Sequence, residues 1–142
     1  MNVASILAAK GSDVVTVAPD QSLAAIVSML ADKKIGAIVV VESGGPVCGI
    51  ISERDVVRQI ATSGAGALDQ PVSVCMTRKV ISCTAASSVD EVMGLMTRGK
   101  FRHIPVIEGG RLAGIVSIGD VVKRKIEHAE REAEELKQYI AG

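Results

Sequence analysis

Residues Thr16 to Ile60, TVAPDQSLAAIVSMLADKKIGAIVVVESGGPVCGIISERDVVRQI, are answered by Ser82 to Ile126, SCTAASSVDEVMGLMTRGKFRHIPVIEGGRLAGIVSIGDVVKRKI, with the order of features kept throughout. Leu23, Ile26, Val27 and Leu30 map onto Val89, Val92, Met93 and Met96 at an offset of 66 residues. After a one-residue deletion before the paired glycines, Gly49, Ser52 and Asp55 map onto Gly114, Ser117 and Asp120 at an offset of 65. Two copies are too few for a solenoid, which needs about three to bury its ends. They predict a pseudo-symmetric pair in which any site in one repeat has a counterpart in the other.

The chain has 142 residues, enough for one shared core. A unit of ~60 residues is marginal alone, so the repeats are expected to fold against each other. Sixteen basic and sixteen acidic side chains cancel, which removes any general attraction to nucleic acid or to an anionic membrane. With no Trp, one Tyr and one Phe, there is no stacking platform for single-stranded nucleic acid either. Cys48, Cys75 and Cys83 are odd in number and lack CxxC spacing, so they read as small buried thiols and not as a disulfide framework or zinc site. The N-terminal stretch lacks the basic and apolar regions of a signal peptide, and no segment approaches the ~18 apolar residues of a membrane span. A cytoplasmic location is expected.

Each repeat reads as strand, helix, strand, strand, helix. Positions 23, 26, 27 and 30 fall at i, i+3, i+4 and i+7, the apolar face of an amphipathic helix, and the second copy repeats them. Ser88 and Glu91 form a candidate capping box at the start of that copy. The β-branched runs Ile35 to Glu42 and Arg102 to Glu108 are continuous enough to be covered on both faces. Gly44-Gly45 and Gly109-Gly110 then supply the positive φ of tight hairpins. Because these glycines turn strands and do not open helices, a dinucleotide fingerprint is not supported. Residues 12–63 and 80–126 are the expected repeats, with a small-residue linker at 64–79 that holds at most one short helical turn and is mobile near Gly64 to Gly66. A C-terminal helix extension at 127–142 continues a seam of Val122, Ile126, Ala129, Ala133, Leu136 and Ile140, about two and a half heptads.

The most polar duplicated element is Ser-x-x-Asp, at Ser52 to Asp55 and Ser117 to Asp120. In both copies it follows a buried strand and opens a helix, where unpaired amides and the positive helix end favour an anion. A hydroxyl beside amides suits a phosphate, and a carboxylate suits the vicinal hydroxyls of a ribose. Half of a nucleotide site is one expectation; a plain helix cap is the other, since Ser and Asp are favoured there.

The phrases GIISERDVV, RHIPVIEGGRLAGIVSIGDVV and VCMTRKVIS resemble those of a tandem CBS-domain pair, or Bateman module, over nearly all of the chain from Val3 to Ile126. The resemblance implies an α/β fold of two CBS repeats packed through their sheets. It also implies a cleft for an adenine nucleotide: AMP first, with ADP, ATP or NAD, and in some members S-adenosylmethionine, as alternatives. No metal is implied. Asp55 and Asp120 would then hold ribose, and Ser52 and Ser117 would approach phosphate. Ala37 and Val39 of one repeat, with His103, Ile104 and Pro105 of the other, would flank the adenine. Arg102 stands opposite Gly36 and Arg54 opposite Gly119, so these two cations are unduplicated and are candidate phosphate donors.

A hydrolase would need one Ser activated by one His, and the GxSxG elbow is missing. The Ser-Asp pair is duplicated whereas His103 is not, the pattern of binding and not of turnover. The expectation is therefore a non-enzymatic sensor of adenine nucleotides that forms a homodimer and signals to an unidentified partner. The alternative is a dimerisation or protein-interaction module that binds no nucleotide physiologically.

Overall fold

A computed structural model describes all 142 residues. The first repeat comprises β1 (Thr16–Val17), α2 (Leu23–Lys33), β2 (Ala37–Val41), β3 (Val47–Ser52) and α3 (Glu53–Ser63), preceded by α1 (Val3–Lys10). The second comprises α4 (Val89–Gly99), β4 (His103–Glu108), β5 (Arg111–Ser117) and α5 (Ile118–Ala141). β1 pairs parallel with β2 and β2 antiparallel with β3. In the second repeat only β4 and β5 pair as strands, and the expected first strand shrinks to a parallel bridge between Cys83 and Val106. The α/β repeat pattern is otherwise as the sequence predicts.

Each repeat has its own core. Leu23, Ile26 and Leu30 from α2 pack with Ile38, Val40 and Ile51. Their counterparts Val89, Val92 and Met96 from α4 pack with Ile104, Val106 and Val116. Strand alternation turns Ala37 and Val39 to the opposite face of β2, where both are buried outside the first core. The same alternation puts His103 and Pro105 on the face of β4 away from Ile104 and Val106. A Cβ built on Gly36 would lie 2.9 Å from the His103 ring, so the two repeats meet here, sheet face toward sheet face.

Hairpin geometry follows the glycines: Gly44, Gly109 and Gly110 take positive φ, whereas Gly45 does not. Ser88 accepts from the Glu91 amide at 3.0 Å, but the reciprocal half of that capping box is not formed. Burial pushes the Cys83 thiol up to about 11, with the Glu108 carboxylate adding to it, so this cysteine is an inert core residue. Cys48 and Cys75 are only half-buried.

Two segments depart from expectation. The linker holds two 3-10 turns where one short helical turn is expected, at Gly64–Asp69 and Val72–Val74, and Ala67 and Val72 are fully buried in the first core. At the other end, Val3 and Ile6 of α1 join the core of the second repeat. The segments are therefore exchanged, each packing on the repeat that does not follow it directly. Their sequences correspond, VASILAAK at 3–10 against VSVCMTRK at 72–79. They also fill the same notch. Leu7 lies over Gly114 and Met76 over Gly49, so close that an added Cβ would stand 2.7 Å and 2.5 Å away respectively. Those glycines are required for the close approach of the exchanged side chains.

Beyond the second core, α5 runs out from the body, and every residue from Ala129 onward is exposed. Along this helix Arg124 pairs with Glu127 at 3.3 Å and His128 with Glu132 at 3.0 Å. Lys125 reaches Asp90 of α4 at 2.9 Å. No helix is long and apolar enough to cross a membrane.

Candidate functional site

Both Ser-x-x-Asp motifs close their own helices. Ser52 Oγ accepts from the Asp55 amide at 3.3 Å, and Asp55 Oδ2 accepts in return from the Ser52 amide at 2.9 Å. Ser117 and Asp120 repeat this at 3.2 Å and 2.8 Å. The Glu53 and Ile118 amides are taken by the carbonyls of Gly36 and Arg102. The first and third amides of each of these helices are thus taken within the fold. Capping does not exhaust the carboxylate: Asp55 Oδ1 has only the distant Arg58 guanidinium, at 3.9 Å.

A cavity of about 740 Å³ lies between the repeats in front of the first motif. Ala37, Ile50, Val57 and Ile81 provide apolar walls, and Ser52 and Asp55 stand at its edge. Arg54, Arg58, Lys79, Lys100 and Arg102 contribute five cations against the carboxylates of Glu53 and Asp55, a field that selects an anion. Arg54 spans the cleft, donating to the Lys100 carbonyl of the other repeat at 3.3 Å. Lys100 is held in the left-handed region at φ 57°, as is Lys34 at the matching helix end.

His103 borders the same cavity. Burial disfavours its imidazolium and the Lys10 ammonium adds to this, so its pKa lies below the ordinary histidine value despite nearby Glu53 and Asp120. A neutral imidazole results, able to donate and accept at the cleft wall.

The second motif is placed differently. Neither Ser117 nor Asp120 lines this cavity. Asp120 Oδ2 instead receives the Lys10 ammonium at 2.7 Å, and the same ammonium donates to the Ile115 carbonyl at 2.9 Å. Burial alone would raise the Asp120 pKa, but Lys10 and the Ser117 groups outweigh it and hold the carboxyl below the usual carboxylate range. Ile104 is a further correction: it is fully buried in the second core and cannot flank a ligand. Val39 and Pro105 are buried on the inter-repeat face, outside the cavity lining. Ala37, Ser52, Arg54, Asp55, Arg102 and His103 are the expected residues that the fold brings together.

Sequence reasoning missed Thr77, Lys79, Ile81 and the chain's single Phe, Phe101, all of which line the cavity. The shared Val and Lys, seven residues apart, at the ends of 3–10 and 72–79 are the signal that could have found Lys79.

A CBS domain family model matches residues 5–62 and again residues 72–127. The chain belongs to the CBS-domain family. Its tandem pair resembles the CBS domain-containing protein CBSX3, mitochondrial, of Arabidopsis thaliana, 37% identical over 127 residues. That alignment covers 87% of this chain and 62% of the plant protein, so the chain spans less than two thirds of its relative. Among solved structures, the CBS-domain containing protein ATU1752 from Agrobacterium tumefaciens is 52% identical with a TM-score of 0.85, covering 87% of this chain and 92% of that one. The CBS domain pair of protein MJ0100, crystallised with 5′-methylthioadenosine and S-adenosyl-L-methionine, shares the fold at 24% identity and a TM-score of 0.77, covering 87% of this chain and 98% of that one.

Proposed function

We propose that this CBS pair is a regulatory module that binds an adenine nucleotide in the cleft between its repeats and passes the bound state to a partner protein. The observation that carries this is the cavity itself: apolar walls, the free Oδ1 of Asp55 and five cations converge on one space of nucleotide size. The adenosine ligands of MJ0100 support the class of ligand. At that identity the likeness is of fold, and the residues of this chain carry the argument. Adenine would lie along Ala37, Ile50 and His103, ribose hydroxyls would meet Asp55, and phosphate would meet Arg54, Lys100 and Arg102. AMP is the simplest such ligand, and ADP, ATP or NAD would extend toward the same cations.

Binding, and not turnover, suits the arrangement. The Ser52 hydroxyl is committed to its helix cap and has no hydrogen bond to His103. A ligand held by Asp55 on one repeat and Lys100 to His103 on the other favours one inter-repeat geometry, and only such differential affinity can transmit a signal. Exposed apolar residues on α3 and α5, Val57 and Ile60 with Val122 and Ile126, offer a face for homodimerisation, with the projecting end of α5 available to support the dimer or the partner.

The test is ligand-linked stability. AMP at ~100 times its dissociation constant stabilises the fold by about 2.7 kcal/mol, a rise on the order of 5–10 °C in melting temperature, and GMP gives less. In the Arg102→Ala variant the stabilisation by ATP falls more than that by adenosine. Nucleotide-free protein that shows no shift with any adenine nucleotide at millimolar concentration would overturn the proposal.

A further inference from the structure

The pseudo-symmetry that relates the two half-sites is broken by one side chain. Lys10 and Lys79 are counterparts in the exchanged segments, each seven residues after the valine that anchors its segment in a core, Val3 or Val72. Beyond that anchor the backbones diverge. α1 stays helical to Lys10, which delivers the ammonium to Asp120 and the Ile115 carbonyl. The second segment leaves its helical turn at Cys75, and Thr77 exchanges backbone hydrogen bonds with Ile50 at 2.8 and 3.0 Å. The Ile50 carbonyl, counterpart of that of Ile115, is therefore taken by an amide, and Lys79 is carried into the cavity wall without bonding Asp55.

We propose that Lys10 is a built-in occupant of the second half-site, so that the module takes one nucleotide, at the Ser52–Asp55 cleft, and the Ser117–Asp120 half-site admits ligand only when Lys10 is displaced. The inference rests on the nucleotide-binding function proposed above. The ammonium takes Asp120 Oδ2, the oxygen that also accepts from the Ser117 amide, and it is anchored a second time on the Ile115 carbonyl, so a ribose that is to use both carboxylate oxygens must break an ion pair with a side chain only 32% exposed. Lys10 ends its helix just before Gly11, which takes φ 98°. A rotamer change of Lys10 would open the site without unfolding α1.

Calorimetric titration with AMP separates the outcomes. Wild-type protein binds one AMP per chain; Lys10→Ala binds two, and Lys10→Arg, which keeps a cation on Asp120, binds one. Asp55→Asn weakens AMP at least tenfold in the wild-type background, whereas in Lys10→Ala it leaves one site at its original affinity. Two sites in the wild type, or one site in both wild type and Lys10→Ala, would overturn the occupant role while leaving nucleotide binding intact. Binding by Lys10→Ala alone would support the occupant role and refute the wild-type sensor. No binding by either would refute both.

Discussion

Asp55→Asn is expected to lose about 1.5–3 kcal/mol of AMP binding, roughly ten- to hundredfold in dissociation constant, because it removes a charged acceptor from the ribose hydroxyls. Folding stability should change by less than about 1 kcal/mol, since an amide oxygen at that position still accepts from the Ser52 amide and keeps the cap. Asp120→Asn gives the opposite pattern. It weakens the ion pair to Lys10 and has little effect on AMP, because its half-site lies outside the cavity. Titration and thermal melting of the two variants side by side check both halves. Equal loss of affinity in both would mean that the two motifs are equivalent in solution.

The two ends of the chain are expected to differ sharply in their effect on folding. Ile6 is 4% exposed and packs with Cys83, Val92, Ile104 and Val116 in the second core, so Ile6→Ala costs about 2–4 kcal/mol. Removing residues 1–10 also strips Val3 and the Leu7 side chain from the notch over Gly114, and the second repeat should then unfold well below the melting temperature of the intact chain. Deleting residues after Lys125 removes exposed helix and keeps Val121, the one fully buried side chain of α5. That truncation should shift the melting temperature by only a few degrees and act on self-association or partner capture. Loss of folding on C-terminal truncation, with tolerance of the N-terminal one, would contradict the assignment of the cores.

What was legible in the sequence is what local chemistry fixes. The i, i+3, i+4, i+7 stripes set α2 and α4, paired glycines set the hairpins, and Ser52 to Asp55 and Ser117 to Asp120 marked the two helix starts. Of the residues that the CBS resemblance implied, Ala37, Ser52, Asp55 and His103 line one cleft, together with Arg54 and Arg102, which the difference between the copies singled out. What escaped depended on tertiary placement. Val3 and Ile6 form too short an apolar group to reveal which repeat they serve, and the exchange of α1 with the linker cannot be read from spacing. Ile104 looked like its neighbours Pro105 and His103 until strand alternation sent it into the core. At Asp120 the duplication predicts a counterpart of the first motif, and what spacing could not show is the lysine 110 residues away whose ammonium pairs with that carboxylate.

The most direct measurement of the central claim is photo-labelling of the intact protein with an azidoadenine derivative of AMP, followed by peptide mapping. Label is expected on peptides that contain Gly36 to Val39, Ile50 or Phe101 to His103, and unmodified AMP should suppress it. Labelling that AMP does not suppress, or label confined to the exposed end of α5, would contradict an adenine nucleotide seated between the two repeats.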